Sequence, residues 1–371
     1  MKVRGAVLRE MGRPYPYARS RPLEIAELEL DPPGPGELLI RVGAAGLCHS
    51  DLSVIDGSRP RVMPMVLGHE AAGAVVEVGA GVTAFAPGDH VVLVFVPSCG
   101  RCGPCLDGRA ALCEPGAAAN AAGTLLSGGR RFGPKLHHHL GVSAFADHIV
   151  VSERSAVQVP ATLAFDVAAV FGCAVLTGAG AVLHNAHVTP DDRVAVFGLG
   201  GVGLAAVLGA VAAGARQVVA IDVVPDKLTL ARELGATDAV HGGDGVVEAV
   251  RAATDGGADK VIETAGNETV LANAYAATRR GGTTVTVGLP DPSRMLSIPA
   301  VSLVAEERTL RGSYLGSSVP ARDIPRFVAL FEAGRLPVDR LLTHRLALED
   351  VNEGFDRLAR GEAVRQAIVF P

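Results

Sequence analysis

"DRVAVFGLGGVGLAAVLGAVAAGARQVVAID", residues 192–222, is the segment on which the fold turns. Residues 194–197 form a short apolar run of the length of a buried strand. Gly198, Gly200 and Gly203 follow in a G-x-G-x-x-G pattern, and Gly201 and Val202 open an alanine-rich helix that runs to about Ala213. A second apolar run, residues 217–222, ends on Asp222 at the spacing expected of a ribose-binding acid. The three glycines suit a tight turn, close approach to a pyrophosphate and close helix–strand packing. The start of the helix offers free N–H groups and a partial positive charge to phosphates. Asp222 can accept hydrogen bonds from both ribose hydroxyls and repels a 2′-phosphate, so NAD is expected over NADP. Residues 194–215 are uncharged and long enough to span a bilayer. Their glycine pattern reads instead as strand, turn and helix.

Downstream, the alternation continues. Strands are expected near Ala239, over 259–266, over 281–290 and over 308–316, with helices near 226–235, 245–254 and 268–278. That order predicts a doubly wound parallel sheet. Upstream, the first 170 residues carry short apolar runs broken by Gly and Pro turns such as "DPPGPGE" and "FAPGDHV", which reads as a mostly β lobe. The boundary is expected near Cys173, beside the cofactor crevice. The small-residue patch "EPGAAANAAGTLLSGG", residues 114–129, reads as a flexible loop.

A chain of 371 residues has room for two domains. Its start, "MKVRGAVLREMGRPYP", has no apolar signal core, so a cytoplasmic location is expected. The net charge of −5 is spread along the chain, and no basic block points to nucleic acid or a membrane surface. In a reducing compartment clustered cysteines are metal ligands more often than disulfides. Four of the six lie in "CGRCGPCLDGRAALC", spaced Cys99-x2-Cys102-x2-Cys105-x7-Cys113. Four thiolates with no open position make a structural zinc site. An iron–sulfur reading would need a short step to a final Cys-Pro in place of the x7 gap. The other two cysteines, Cys48 in "GLCHSD" and Cys173 in "FGCAVLTG", and His69 of "LGHEAAG" are the ligand types of a catalytic zinc with one open position. Each alone also reads as structural: a buried apolar thiol, a core histidine. The run His137-His138-His139 reads as a loop feature, because adjacent side chains do not converge easily on one ion.

Taken together in order, "GLCHSD", "LGHEAAG", "GVTAFAPGDHV", the four-cysteine lobe, "GLGGVG" and "NEGFDRLARGEAVRQAIVF" resemble the zinc-dependent medium-chain alcohol dehydrogenases, the liver-type branch in particular. The resemblance implies an α/β chain: a GroES-like, mostly β catalytic domain over 1–174 and 315–371, and a Rossmann NAD-binding domain over 175–314. It implies two zinc ions, a structural one on the four clustered thiols and a catalytic one on Cys48, His69 and Cys173, with Glu70 as a transient ligand. Asp51 would orient His69. Ser50 would take the alcohol proton. Asp222 and Lys227 would meet the adenosine ribose, His49 and Arg365 the pyrophosphate, and Thr177 the nicotinamide side. Phe95 and Leu140 would line an apolar pocket for a primary or simple secondary alcohol, oxidised reversibly by hydride transfer to NAD.

Two positions depart from the family pattern. Ser53 stands where a relay histidine is common, so proton release is expected to use water. Ala117 stands where formaldehyde–thiol dehydrogenases carry an arginine, which weakens that alternative; a non-enzymatic NAD-binding protein is the other. A homodimer joined through the edge strand near Arg308 to Ser313 is expected, with a tetramer as an extension of it.

Overall fold

The structure, a computed structural model, describes residues 1–371. The chain divides into two compact units. The first comprises residues 1–173, 319–328 and 342–371, and the second 174–318 and 329–341. The expected partition gave all of 315–371 to the first unit. Residues 315–318 and 329–341 pack with the second instead. There Leu336, Val338 and Leu341 are fully buried, and two arginines tie the segment down. Arg335 Nη2 donates to the Ala212 carbonyl (3.0 Å) and Arg340 Nη1 to that of Glu233 (2.9 Å).

The second unit is built on a six-stranded parallel sheet. Its order is Asp238–His241, Gln217–Asp222, Arg193–Phe197, Ala258–Glu263, Thr278–Thr286, Thr309–Gly312. The first strand in sequence lies inside the sheet and the chain winds outward from it in both directions, which is the doubly wound topology. Burial on both faces explains the unbroken apolar runs: Val194–Phe197 and Val218–Ile221 are all buried. Helices Gly201–Ala212, Pro225–Glu233, Val246–Ala253 and Glu268–Ala277 fall where the periodicity places them. Val246, Val250 and Ala274 pack on Ala195, Phe197, Val219 and Ile221 to make one apolar cluster.

The first unit is mostly β. A seven-stranded sheet runs in the order Leu342–Leu346, Arg365–Val369, Glu37–Leu47, Glu70–Val78, His90–Leu93, Ala156–Gln158, with His148–Ser152 also paired to Glu37–Leu47. A smaller sheet orders Leu23–Glu29, Lys2–Leu8, Met65–Val66 and His137–His138. The long central strand Glu37–Leu47 ends one residue before Cys48, and its neighbour Glu70–Val78 begins one residue after His69. Register pairs Gly46 with Glu70, so the sheet itself brings the two motifs together.

One expectation changes. Residues 114–129 are not all loop: Glu114–Ala122 is a helix. Alanines carry it, Pro115 sits in its first turn where no N–H is needed, and Cys113 Sγ accepts the Gly116 N–H at its start. The stretch 194–215 is a strand, a turn and a twelve-residue helix, as its glycines indicate. The run that is long and apolar enough to cross a membrane is a different one, Phe165–Asn185, and 89% of its most apolar window is buried inside the protein. Cys173 lies in a wide π-type turn of that run, Phe171–Val175.

Candidate active site

Cys48 caps the helix His49–Ile55. Its N–H points at Asp51 Oδ2 (3.3 Å), while the Asp51 N–H donates to the Cys48 carbonyl (3.0 Å). Asp51 is fully buried. Its other oxygen, Oδ1, accepts from Gly68 N (3.3 Å) and His69 Nδ1 (3.0 Å). With Nδ1 held by the carboxylate, Nε2 is the nitrogen of His69 left to act as a ligand. Cys48 Sγ, Cys173 Sγ and a His69 ring nitrogen all lie within 4.8 Å of one another, and all three residues are buried. They belong to one compact unit.

The charges around this set oppose each other closely. The Cys173 thiol, hydrogen-bonded to Cys48, holds Cys48 well below the usual thiol range, and the same contact together with burial pushes Cys173 up. Burial alone would lower His69, but the Asp51 carboxylate outweighs it and holds the imidazole well above its usual value. Burial would likewise raise Asp51, and His69 and His139 together outweigh it, leaving the carboxyl below its usual range. A thiolate beside a charged imidazole is a site whose proton a divalent metal displaces. Glu70 is also buried, and neither carboxylate oxygen has a hydrogen-bond partner. Its pKa is pushed up to about 7, by burial first, against the Arg365 guanidinium 3.5 Å away. Gly46 makes room for that carboxylate: a Cβ there would stand 2.5 Å from Glu70 Oε1. Two orphaned carboxylate oxygens next to two thiols and an imidazole fit a cation, and the sulfur–nitrogen donor set fits zinc.

The residues expected around this set are placed as follows. Ser50 is half-buried on the first turn of His49–Ile55, and His49 is exposed beside it. Ser53 donates its hydroxyl to the His49 carbonyl (2.9 Å), one helical turn back. Phe95 stands edge-on to His69, ring centroids 5.3 Å apart, and its carbonyl is held by Asn120 Nδ2 (2.8 Å). Leu140 is buried with φ at 52°. Arg365 is 4% exposed; its guanidinium also lies 3.4 Å from the Leu47 carbonyl. Burial would lower Arg365, and Glu70, Cys48 and Cys173 outweigh that effect. Ala117 is exposed on helix Glu114–Ala122.

Cys99, Cys102, Cys105 and Cys113 form a second cluster within 4.8 Å, with no disulfide among them. Cys113 Sγ accepts from Cys99 N (3.2 Å) and Gly116 N (3.4 Å), which orients it toward the other three. The Arg101 backbone N–H draws Cys99 down to about 6, while burial pushes Cys105 up to about 12. Four thiols gathered without bonding suit a closed tetrahedral zinc.

In the second unit the glycine turn separates three roles. Gly198 has φ +88, a backbone conformation that L side chains rarely adopt. A Cβ at Gly203 would stand 1.8 Å from the Gly198 carbonyl, so the helix packs on the turn only without one. A Cβ at Gly200 would meet nothing within 4 Å, which leaves open space where a phosphate would approach. Gly201 and Val202 open the helix, whose first N–H groups have no side-chain cap. Asp222 ends its strand and accepts from Leu199 N (2.6 Å) and Val224 N (2.9 Å), which ties the acid to the glycine turn. Lys227 is half-buried in the first turn of Pro225–Glu233, and Thr177 is buried on Leu176–Gly180.

Two residues that the sequence did not mark also belong here. Asn120 fixes Phe95. His139, read as part of a loop, is buried with Nδ1 3.1 Å from Asp51 Oδ1. Its ring stands edge-on to His69, centroids 5.6 Å apart. No spacing rule marks it, since only the fold brings position 139 to position 51.

Residues 34–161 match the family model described as alcohol dehydrogenase GroES-like domain, and residues 201–333 the model described as zinc-binding dehydrogenase. The chain is 39% identical to the NDMA-dependent alcohol dehydrogenase of Amycolatopsis methanolica, over 100% of this chain and 99% of that one. It is similar to the solved structure of the alcohol dehydrogenase zinc-binding domain protein from Burkholderia ambifaria (TM-score 0.93, 37% identity, 100% of this chain and 99% of that). It is equally similar in fold to benzyl alcohol dehydrogenase from Acinetobacter calcoaceticus (TM-score 0.93, 30% identity, 100% of each chain).

Proposed function

The chain belongs to the zinc-dependent medium-chain alcohol dehydrogenase family, and from that premise we propose that it oxidises primary or simple secondary alcohols reversibly, passing hydride to NAD beside a zinc held by Cys48, His69 and Cys173. It is an oxidoreductase with a small-molecule alcohol as substrate. The observation that carries the site reading is the convergence of those three donors, with Asp51 engaging the far nitrogen of His69.

Zinc in that set supplies Lewis acidity to a substrate oxygen. The nicotinamide supplies the hydride acceptor. The chain does the rest. Asp51 fixes the ring and tautomer of His69. Ser50, on the same helix, is assigned the alcohol proton. The Ser53 hydroxyl is committed to the His49 carbonyl and is no base, so the proton leaves through water. Phe95, edge-on to His69, and the buried Leu140 are assigned an apolar, water-poor substrate pocket. Glu70, whose carboxylate oxygens have no hydrogen-bond partner, is assigned the role of transient ligand. Asp222 and Lys227 are assigned the adenosine ribose, the turn at Gly198, Gly200 and Gly203 the pyrophosphate together with His49 and Arg365, and Thr177 the nicotinamide side. A second, structural zinc on Cys99, Cys102, Cys105 and Cys113 completes two per chain.

We assign the protein to the cytoplasm and to a homodimer. The edge strand Thr309–Gly312 has no outer neighbour, and Met295, Val301 and Val304 of the same unit are largely exposed. Light scattering should give a dimer or a tetramer built from it; a monomer at working concentration contradicts the assignment.

The name of the Amycolatopsis relative favours one second reading, in which NDMA replaces free NAD as the oxidant added to the assay. Turnover of a primary alcohol with NAD, NADP or NDMA separates the two. NAD should be preferred, and Asp222→Gly should narrow or reverse the preference over NADP, because the carboxylate that repels a 2′-phosphate is gone. A wild type that prefers NADP overturns the reading of Asp222. Turnover that needs NDMA and ignores added NAD supports the second reading.

A further inference from the structure

Three nitrogens approach Asp51 Oδ1: Gly68 N at 3.3 Å, His69 Nδ1 at 3.0 Å and His139 Nδ1 at 3.1 Å. A carboxylate oxygen offers two lone pairs. Gly68 and His69 take them as hydrogen bonds. His139 Nδ1 lies within reach at 3.1 Å but forms no well-aligned hydrogen bond there, although its side chain is 1% exposed. Its backbone leaves it little freedom to move away. The His139 N–H donates to Ser143 Oγ (2.8 Å), and the two preceding residues are paired to Met65–Val66. A buried polar nitrogen without a well-aligned partner is destabilising, a cost that a phenylalanine of similar shape would avoid.

We propose that His139 is a positioning residue that competes with His69 for Asp51 Oδ1 and so sets how strongly Asp51 draws on the zinc-ligating ring. The inference rests on the reading that Cys48, His69 and Cys173 hold zinc. A carboxylate that accepts only from a ligand histidine makes its other nitrogen more basic. A second imidazole N–H at the same oxygen divides that pull. His69 Nε2 is then the weaker donor, so the metal is held less tightly and stays the stronger Lewis acid. The crowding at Oδ1 is the structural mark of this competition.

The test is zinc transfer from the holoenzyme to a chromophoric chelator, for wild type, His139→Phe and His139→Gln. The ion missing from Cys173→Ser identifies the phase to follow. His139→Phe keeps the packing and removes the competing N–H, so release should slow by roughly tenfold, the low end of what partners of ligand histidines contribute. His139→Gln can still donate to Oδ1 and should restore release to within about twofold of wild type. Unchanged release in the Phe variant overturns the inference, as does equal acceleration in both variants, which would show packing alone. Cobalt substitution gives a second reading of the same ligand: its visible spectrum should shift in the Phe variant and not in the Gln variant. Should the variants fail to fold, histidine-selective nitrogen NMR of the wild type decides. His139 protonated on Nδ1 is required, and the Nε2 tautomer overturns the inference. A wild type with no zinc at Cys173 overturns the metal reading itself, and the inference with it.

Discussion

His138 and His139 are neighbours in the chain with separate work. His138 Nε2 accepts the Arg131 N–H (3.1 Å), and its ring lies against Phe132. Burial pushes its pKa down to about 3. In the unfolded chain the same ring titrates near 6.5. As pH falls below about 6.5 the unfolded chain takes up a proton that the folded chain refuses, so stability is lost progressively down to about 3. The full gap is worth on the order of 4 kcal/mol, a large share of a domain's stability. His138→Gln keeps an acceptor for Arg131 and removes the titration. Urea midpoints between pH 7 and 4 should fall less steeply in the variant, and parallel slopes would contradict the assignment. The histidine run was not legible residue by residue. Adjacent side chains in a strand point to opposite faces, and only the pairing of His137–His138 with Met65–Val66 settles which ring meets Asp51. Cys48, His69 and Cys173 had the right chemistry for a ligand set, but their convergence depends on sheet register and on the turn at 171–175, neither of which spacing encodes.

At the scale of elements the glycine turn offers a paired test. Gly203→Ala puts a methyl group into the Gly198 carbonyl, so it should lower the melting temperature by several degrees or more, as overpacking of 1–3 kcal/mol does. Gly200→Ala meets open space and φ there is ordinary, so stability should hardly change while NAD binding weakens. Calorimetry and NAD titration of both variants check this. A Gly200→Ala protein that binds NAD as wild type does would mean that the pyrophosphate does not approach there. The strands and helices of the second unit were legible because strands buried on both faces read as unbroken apolar runs, and the helices between them are bounded by Gly, Pro and Asp. The segment 114–129 reads as loop because glycines at 116, 123, 128 and 129 interrupt its alanines. A Pro in the first turn and the Cys113 sulfur at the N-terminus give its first nine residues a helix start.

For the whole molecule, two units with separate cores place the metal set entirely in one and the glycine turn entirely in the other. The first unit's long N-terminal segment ends at Cys173, where the character of the chain changes from turn-rich β to alternating strand and helix. The sequence did not foresee that 329–341 returns to the second unit, since Leu336, Val338 and Leu341 form no periodic pattern and only tertiary packing claims them. The proposed reaction needs both the metal set and the nucleotide turn, and a single assay tests it. Alcohol-dependent NADH formation by zinc-loaded wild type is measured beside a folded Cys173→Ser protein that has lost one zinc and kept the other. The account predicts robust NADH formation in the wild type and loss of at least about a thousandfold in the variant, as expected when the Lewis acid is removed. Comparable rates in the two proteins would contradict it.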